Sequence, residues 1–289
     1  MIPPFDYEVA KTLEEACSLL WEAGGEAKII AGGTDLVIGL RNGDHKPRTL
    51  IDVTKIEQLR GIDEKDGTIR IGAAVTHGQI AASPLVGRHG KVLSEACSWV
   101  GSPQIRNLGT IGGNIVNASP AADSLPPLIV LDAKARVVSK EGEREIPLAG
   151  LFKGPYETSL KPHELLVQVA FPKLPQNART GYVRLARREA MAVARMSVAV
   201  VVQRAGGQGT IEDIRISAGS VTPRPCRLSD AEKVLRGSRA DLSSFQAASR
   251  KISEEMIRWS GVRASTSYKA PVVEALFVRA LRQALEGSL

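Results

Sequence analysis

Residues 105–117 read IRNLGTIGGNIVN, a stretch in which three glycines interrupt an otherwise mostly apolar run. Glycine is costly inside a regular helix or strand, so this spacing indicates unusual backbone dihedral angles or the close approach of another group. A diphosphate is one such group, because successive free N–H groups in a glycine-rich turn form an anion-binding concavity. Thr110, Asn114 and Asn117 would add side-chain donors around it. The alternative is a tight turn packed inside a barrel-like sheet.

A second glycine stretch, AGGTDL at residues 31–36, favours the anion-binding interpretation. It follows an apolar segment at 28–31 that predicts a short buried strand, and residues 36–40 predict the start of a helix. The order of strand, glycine pair, hydroxyl and helix brings free N–H groups and a positive helix end to one place. The GxGxxG pattern of a conventional dinucleotide-binding βαβ unit does not occur there.

Composition argues against several other functions. The chain has 289 residues, more than one typical domain, and carries 38 Lys and Arg against 31 Asp and Glu, a net charge of +7. The basic residues are scattered and aromatics make up only 4% of the chain, which argues against a nucleic-acid partner. No window approaches the ~20 apolar residues of a membrane span, and no basic segment precedes an apolar run at the start. We therefore expect no membrane span and a cytoplasmic location.

The cysteines and histidines predict no metal on this chain. Cys17, Cys97 and Cys226 lie far apart without a CxxC pair, as expected of buried free thiols. Iron–sulfur clusters usually take four cysteine ligands, so any such centre must lie on another chain. The histidines also lack metal-ligand spacing.

The predicted elements indicate an α+β fold with a boundary at 172–178, where PKLPQNA follows a strand. Before the boundary we expect a helix at 91–100, a proline-rich loop at 119–127, and strands at 128–138 and 165–171. After it we expect strands at 198–203 and 211–217 around a loop at 206–209, then helices at 243–259 and 272–285.

Together the two glycine stretches resemble the FAD-binding motifs of the medium subunit of molybdenum hydroxylases. This is the flavoprotein subunit of the xanthine dehydrogenase and carbon monoxide dehydrogenase family. The loop NASPAADSLPP at 117–127 resembles the loop after the second motif. The segment at 182–194, with RRE at 187–189, resembles the opening of that family's C-terminal domain. The resemblance covers nearly the whole chain.

This resemblance implies a PCMH-like flavin fold. Residues 1–174 would form an FAD-binding domain of two α+β subdomains, about 1–55 and 56–174. Residues 178–289 would form a C-terminal α+β domain with a small antiparallel sheet and helices.

The resemblance also implies the contacts to FAD. Both glycine motifs would cradle the diphosphate, Asn114 and Ser119 would add contacts, and Asp123 matches an acid that approaches the ribityl or ring region of the flavin. Leu165 or Leu166 would pack on the adenine. The candidate cofactor-binding residues are Ala31, Gly32, Gly33, Thr34, Asp35, Leu36, Asn107, Gly109, Thr110, Ile111, Gly112, Gly113, Asn114, Ser119, Asp123, Leu165, Leu166 and Arg187.

Ordinary structural roles stay open for several of these residues. Asn114 could cap a turn, Ser119 could be a loop hydroxyl, and Asp123 could cap the backbone of Ser124. The two leucines could be plain core, and Arg187 could form an exposed salt bridge instead of contacting the cofactor or a partner chain.

One position departs from some relatives. Thr34 stands where they carry histidine, so a histidyl–flavin bond is not available there and FAD should bind noncovalently.

The function implied is electron transfer. A large molybdopterin subunit would hydroxylate the substrate, a small subunit would carry electrons through iron–sulfur clusters, and FAD on this chain would pass them to a small-molecule or protein acceptor. We expect a dimer of heterotrimers. No catalytic acid or base is assigned, because the flavin performs the redox chemistry. The alternatives are a stand-alone FAD oxidoreductase and a structural protein without flavin, for which disrupted glycine motifs would be typical.

The glycine interpretation makes one direct prediction. Gly112→Val should abolish FAD retention before it abolishes folding, since the new side chain would occupy the approach of the phosphates.

Overall fold

The computed structural model of the chain describes residues 4–189, 191–205 and 209–286. Its first sheet is formed by β1 (Asp6–Val9), β2 (Ala27–Ile30) and β3 (Thr49–Asp52), all parallel, in the order β1-β3-β2. Parallel pairing requires crossovers, and the helices that supply them are α1 (Leu13–Glu22) and α2 (Leu36–Asn42). Gly43 ends α2 in the left-handed conformation, with a φ of 82°.

A short 3-10 turn (Glu57–Leu59) leads into the second region. Its strands are β4 (Ile62–Lys65), β5 (Thr68–Gly72), β6 (Lys134–Ser139), β7 (Gly142–Pro147), the short pair β8 (Phe152–Gly154) and β9 (Glu157–Thr158), and β10 (Leu165–Pro172). Five of them form an antiparallel sheet in the order β4-β5-β10-β6-β7. Its helices are α3 (His77–Ala82), α4 (Pro84–His89), α5 (Lys91–Ser98), α6 (Pro103–Leu108), α7 (Ile111–Asn117), α8 (Leu125–Val130) and α9 (Leu148–Leu151).

One hydrophobic core joins these two regions. Alternate residues of β5, Ile69 and Ile71, are fully buried in it. Helix α7 contributes Ile111 and Ile115, which are four residues apart and therefore lie on one face of the helix. This packing fixes the second glycine stretch against the five-stranded sheet.

The last part of the chain forms an antiparallel sheet covered by helices. The strands are β11 (Ala178–Leu185), β12 (Met196–Ala205) and β13 (Thr210–Gly219), and the helices are α10 (Ser229–Leu235), α11 (Leu242–Ser260) and α12 (Thr266–Glu286). The central strand β12 is buried on both faces: Val198 and Val200 lie in a second core, whereas Ala199 and Val201 join the first. Burial on both sides explains why β12 reads as a continuous apolar run.

The α+β fold is confirmed, with the predicted strands and the two long helices of the last part in place. The loop predicted at 206–209 lies, apart from Gly209, outside the described residues. Among the helices that the structure describes, none combines the length and the apolar character needed to cross a bilayer.

Two local predictions were wrong. Residues 125–130 form α8 rather than the end of a loop and the start of a strand, because Pro126 and Pro127 lie in the first helical turn, where a missing N–H costs nothing. The stretch at 105–117 is not an isolated turn but the end of α6 and all of α7, joined at Gly109 and Thr110.

Candidate functional site

The two glycine stretches meet through their backbones. After β2 the chain turns at Gly33, whose φ is +69°. An ideal β-carbon on Gly32 would lie 1.9 Å from the carbonyl oxygen of Leu108, so only glycine fits there. The hydroxyl oxygen of Thr34 is 3.4 Å from the position of an ideal β-carbon on Gly109. The first turn therefore rests on the link between α6 and α7.

The second stretch is held by capping and by the sheet. Thr110 is the N-cap of α7, and its hydroxyl accepts the N–H of Gly113 at 3.1 Å. The N–H groups of Ile111 and Gly112 donate to the carbonyl oxygens of Val75 and Ala73, each at 2.9 Å. The expectation that successive N–H groups are free in this stretch is therefore wrong for these three, since the cap and the sheet connection already use them.

The first turn differs in this respect. In the described part of the chain, the backbone N–H groups of Gly32, Gly33, Thr34 and Asp35 donate no hydrogen bond. Asp35 precedes α2 without capping it through its side chain, and partial desolvation raises the pKa of its carboxyl. A row of unused N–H groups is the feature that an anionic ligand requires.

Gly112 and Gly113 face different surroundings. An ideal β-carbon on Gly112 would lie 2.7 Å from both Cβ and O of Ala73, in the packed interior. Gly113 is exposed, and its β-carbon would meet only the hydroxyl oxygen of Thr110, at 3.0 Å. The reason given for the Gly112→Val prediction is therefore wrong: that side chain would push α7 off the sheet, and Gly113 is the glycine with an open face.

A buried histidine, His77, contacts the link between α6 and α7. The backbone N–H of His77 donates to the carbonyl oxygen of Gly109 at 3.0 Å, and its Nδ1 lies 3.5 Å from Sγ of Cys97. Burial lowers the pKa of His77 to about 4, and burial together with the charge of Asp123 raises the pKa of Cys97. Both groups are neutral near pH 7, consistent with a supporting role. This pairing has no signal in the sequence, because the two residues lie on different helices.

The loop after α7 connects the glycine stretch to the last sheet. The hydroxyl of Ser124 donates to Oδ1 of Asn114 at 2.5 Å, and the hydroxyl of Ser119 accepts the N–H of Ala121 at 3.4 Å. Asp123 is 6% exposed and accepts the hydroxyl of Tyr182, on β11, at 2.7 Å. Asp123 thus lies at the contact between the first region and the C-terminal sheet, and it does not cap Ser124.

Two residues at this contact were not selected from the sequence. Tyr182 binds Asp123, and Nε of Arg184 lies 3.7 Å from the same carboxylate oxygen. Arg184 also donates to the carbonyl oxygen of Trp99 at 2.8 Å and lies over its ring, 5.6 Å from the centroid. Both residues belong to the segment at 182–194 that resembles the opening of the family's C-terminal domain. Their contacts with Asp123 and Trp99 depend on how the chain folds and cannot be read from that segment.

The remaining candidates are spread around the site. Ala31 and Leu36 are half-buried beside the first turn, and Asn107 is exposed on α6. Leu165 and Leu166 are each 4% exposed and lie in the first core, where burial alone accounts for them. Arg187 is exposed in the bend after β11. Among the described residues, no group of three or more potential metal ligands comes together.

Comparison with known proteins agrees with this geometry. The family model described as the FAD binding domain in molybdopterin dehydrogenase matches residues 3–174, and the CO dehydrogenase flavoprotein C-terminal domain matches residues 181–284. The xanthine dehydrogenase FAD-binding subunit of Escherichia coli O157:H7 is 32% identical, with 98% of this chain and 96% of the relative covered. The alpha subunit of the 6-hydroxypseudooxynicotine dehydrogenase complex of Paenarthrobacter nicotinovorans is 34% identical, with 98% and 95% covered.

A solved structure is similar along the whole chain. In carbon monoxide dehydrogenase from Hydrogenophaga pseudoflava, a chain that is 32% identical superposes with a TM-score of 0.92, covering 99% of both chains. Together, the fold, the glycine turns and the family models show that the chain is an FAD-binding subunit of an oxidoreductase. More narrowly, the chain belongs to the family of FAD-binding medium subunits of molybdenum hydroxylases, which confirms the resemblance found in the sequence.

Proposed function

We propose that this chain takes electrons from iron–sulfur clusters on a partner subunit and passes them through FAD to an external acceptor. The observation that carries the proposal is the contact between the two glycine turns, Gly32 against Leu108, beside unused backbone N–H groups. Such a cradle suits the FAD diphosphate, because its oxygens are acceptors with strong negative charge.

We assign the diphosphate contacts in two parts. The N–H groups of Gly32, Gly33, Thr34 and Asp35 would donate directly, with Ala31 and Leu36 flanking them. On the second stretch, the open face of Gly113 would admit the ligand, while Asn107, Gly109, Thr110, Ile111 and Gly112 set the position of the turn and Asn114 adds a side-chain amide.

The other assignments concern the rest of FAD. Ser119 and Asp123 would contact the ribityl or ring region, Leu165 or Leu166 the adenine, and Arg187 the cofactor or a partner chain. Asp123 is the best supported of these, because its loop is tied to Asn114 through Ser124. Since Thr34 offers no nucleophilic ring nitrogen, we propose that FAD is held noncovalently.

When bound, FAD supplies the redox chemistry. The residues of this chain would bind and orient it, and the buried Asp123, Tyr182 and Arg184 would hold fixed charges and dipoles near one part of it. We assign no residue of this chain as a general acid or base.

The proposed partners are a small subunit with iron–sulfur clusters and a large molybdopterin subunit, in a dimer of heterotrimers. The family membership and the dispersed cysteines support this assignment, since all three thiols are separate and the first two are buried. The acceptor would be NAD, oxygen, quinone or another protein. A cytoplasmic location stays a prediction.

We propose domain limits of 1–174 and 178–289, with subdomains at about 1–55 and 56–174. The separate parallel and antiparallel sheets support the inner division. The two family models, which end and begin at 174 and 181, support the outer one.

The test begins with the purified chain. We expect a flavin visible spectrum, and acid precipitation should release the flavin into the supernatant if it is noncovalent. A folded chain that takes up no flavin from excess FAD would reject the cofactor assignment. A tagged chain expressed with its native operon should then retain an iron–sulfur and a molybdopterin subunit, whereas substrate turnover by the chain alone would favour a stand-alone oxidoreductase.

A further inference from the structure

Arg184 is buried where the C-terminal sheet meets the first region. Its side chain is only 8% exposed. Nη1 donates to the carbonyl oxygen of Trp99 at 2.8 Å and Nη2 to that of Ala192 at 2.5 Å. Nε, in contrast, is buried and has no hydrogen-bond partner among the described residues. A buried donor without an acceptor is rare and requires an explanation.

The carboxylate of Asp123 forms an ion pair with this guanidinium. Its Oδ1 lies 3.7 Å from Nε of Arg184 and already accepts the hydroxyl of Tyr182 at 2.7 Å. Among the described residues, the hydrogen bond from Tyr182 to Oδ1 is the one that Asp123 accepts, and none goes to its other oxygen, Oδ2. One oxygen is therefore fixed by the C-terminal sheet, and the other is left to accept from a ligand.

The surroundings of Asp123 oppose its ionisation. Burial raises the pKa of its carboxyl, while the hydrogen bond from Tyr182 and the charge of Arg184 act in the opposite direction. The titratable groups that face it are Tyr182 and Arg184 from β11 and the thiol of Cys97 from α5. Arg184 is the one positive charge among these three, and a buried carboxylate without such a partner takes up a proton.

We propose that Arg184 is a positioning residue of the FAD site, which places a positive charge beside Asp123 and orients it so that the carboxylate accepts a hydroxyl group of FAD. The inference rests on the proposed function, because it takes Asp123 as a contact of FAD. A hydrogen bond to an ionised acceptor is about twice as strong as a neutral one, so the charge of Arg184 acts on FAD affinity through Asp123.

The experiment titrates the full-length apoprotein with FAD and follows flavin fluorescence. Arg184→Gln should raise the Kd for FAD by about tenfold near pH 7, the loss of roughly one charge-assisted hydrogen bond. Arg184→Lys, which keeps the charge, should recover most of the affinity. Arg179→Gln is the matched control, because Arg179 lies exposed on the same strand and donates only to backbone carbonyls. It should leave the Kd unchanged.

Two further measurements separate this role from a purely structural one. In an Asp123→Asn background, Arg184→Gln should cause no additional loss of affinity, since no carboxylate remains to be ionised. As the pH is lowered, Arg184→Gln should lose FAD at a higher pH than the wild type, because the pKa of Asp123 rises without the guanidinium. Thermal unfolding without FAD checks that the variants fold.

Additive losses in the double variant, or an unshifted pH profile, would overturn the inference. So would wild-type FAD affinity in Asp123→Asn, although the proposed function would stand if Gly113→Ala still weakened FAD binding. A wild-type chain that binds no FAD would overturn both. If Arg184→Gln does not fold, the single variants decide the question: Asp123→Asn should weaken FAD binding and Arg184→Lys should keep it, and failure of either expectation overturns the inference.

Discussion

The carbonyl oxygen of Leu108 lies in the space that a side chain at position 32 would need, 1.9 Å from an ideal β-carbon on Gly32. Two segments that are distant in sequence are thus in backbone contact, and the contact sets the width of the proposed diphosphate cradle. Because both partners are backbone, neither can rotate away from an added methyl group.

Gly32→Ala should therefore separate the two turns. We expect the free energy of unfolding to fall by about 1–3 kcal/mol, the usual cost of overpacking, together with a loss of bound FAD. Urea unfolding and the flavin-to-protein ratio measure the two effects.

Gly87→Ala is the control for this substitution. Gly87 lies in α4, and apart from its own helix backbone no atom of the described residues comes within 4 Å of its ideal β-carbon. Alanine there should be neutral or stabilising by up to about 1 kcal/mol, because it favours the helix. Equal stability in the Gly32 and Gly87 variants would contradict the backbone contact.

Gly112 and Gly113 should respond differently to the same added methyl group. Gly112→Ala meets Ala73 and should lower the free energy of unfolding by about 1–3 kcal/mol. Gly113→Ala points to the open face, so its stability should stay within about 1 kcal/mol of wild type while FAD affinity falls. Comparable losses of stability in both variants would refute this division of roles.

The location of the proposed diphosphate cradle could be predicted from the sequence, but the identity of its free N–H groups could not. Glycine pairs beside hydroxyl residues carry a local signal at Gly32 and Gly113, because few other structures tolerate them. Which N–H groups are free depends on Ala73 and Val75, which approach from elsewhere in the chain. For this reason the second stretch was wrongly expected to offer free N–H groups.

The same reasoning explains the other misses. Tyr182 and Arg184 acquire their roles only when β11 packs against the loop of Asp123, a contact across many residues. The prolines of α8 predict a loop when only their number is considered, although Pro126 and Pro127 occupy the positions where a helix tolerates them. Periodicity was a reliable guide for α11 and α12, because long amphipathic helices carry their own pattern.

Acid should destabilise the fold through His77. Its pKa is about 4 in the folded chain against 6.5 as the ordinary value, so the unfolded chain binds the extra proton first as the pH falls. Above about pH 6.5 His77 costs the fold no stability. As the pH falls toward 4, the free energy of unfolding decreases progressively, by up to about 3 kcal/mol.

The corresponding experiment compares urea unfolding of wild type and His77→Gln at about pH 7, 5.5 and 4.5. Carboxylates add a pH dependence of their own, so the informative quantity is the difference in slope between the two proteins. The variant should lose less stability on acidification, whatever its stability at pH 7. Parallel slopes would mean that His77 is not held neutral by the fold.

Asp132 should hold the two domains together through charge. It follows α8 in a left-handed conformation, with a φ of 53°, and its two carboxylate oxygens lie 2.7 Å from Nη1 of Arg227 and of Arg215 in the C-terminal domain. Asp132→Asn keeps a residue type that tolerates this conformation and removes only the charge. Because the Asp132 side chain is 47% exposed, we expect a modest loss of about 0.5–1 kcal/mol, measured by urea unfolding at low salt.

The matched control is Glu254→Gln, which breaks the exposed pair with Lys251 on α11, 2.7 Å apart, and should cost less than about 0.5 kcal/mol. Raising the salt concentration should shrink the difference between the two variants, because part of the Asp132 contribution is screened. If Asp132→Asn costs no more than the control, the apolar contact of β12 holds the domains together without help from these ion pairs.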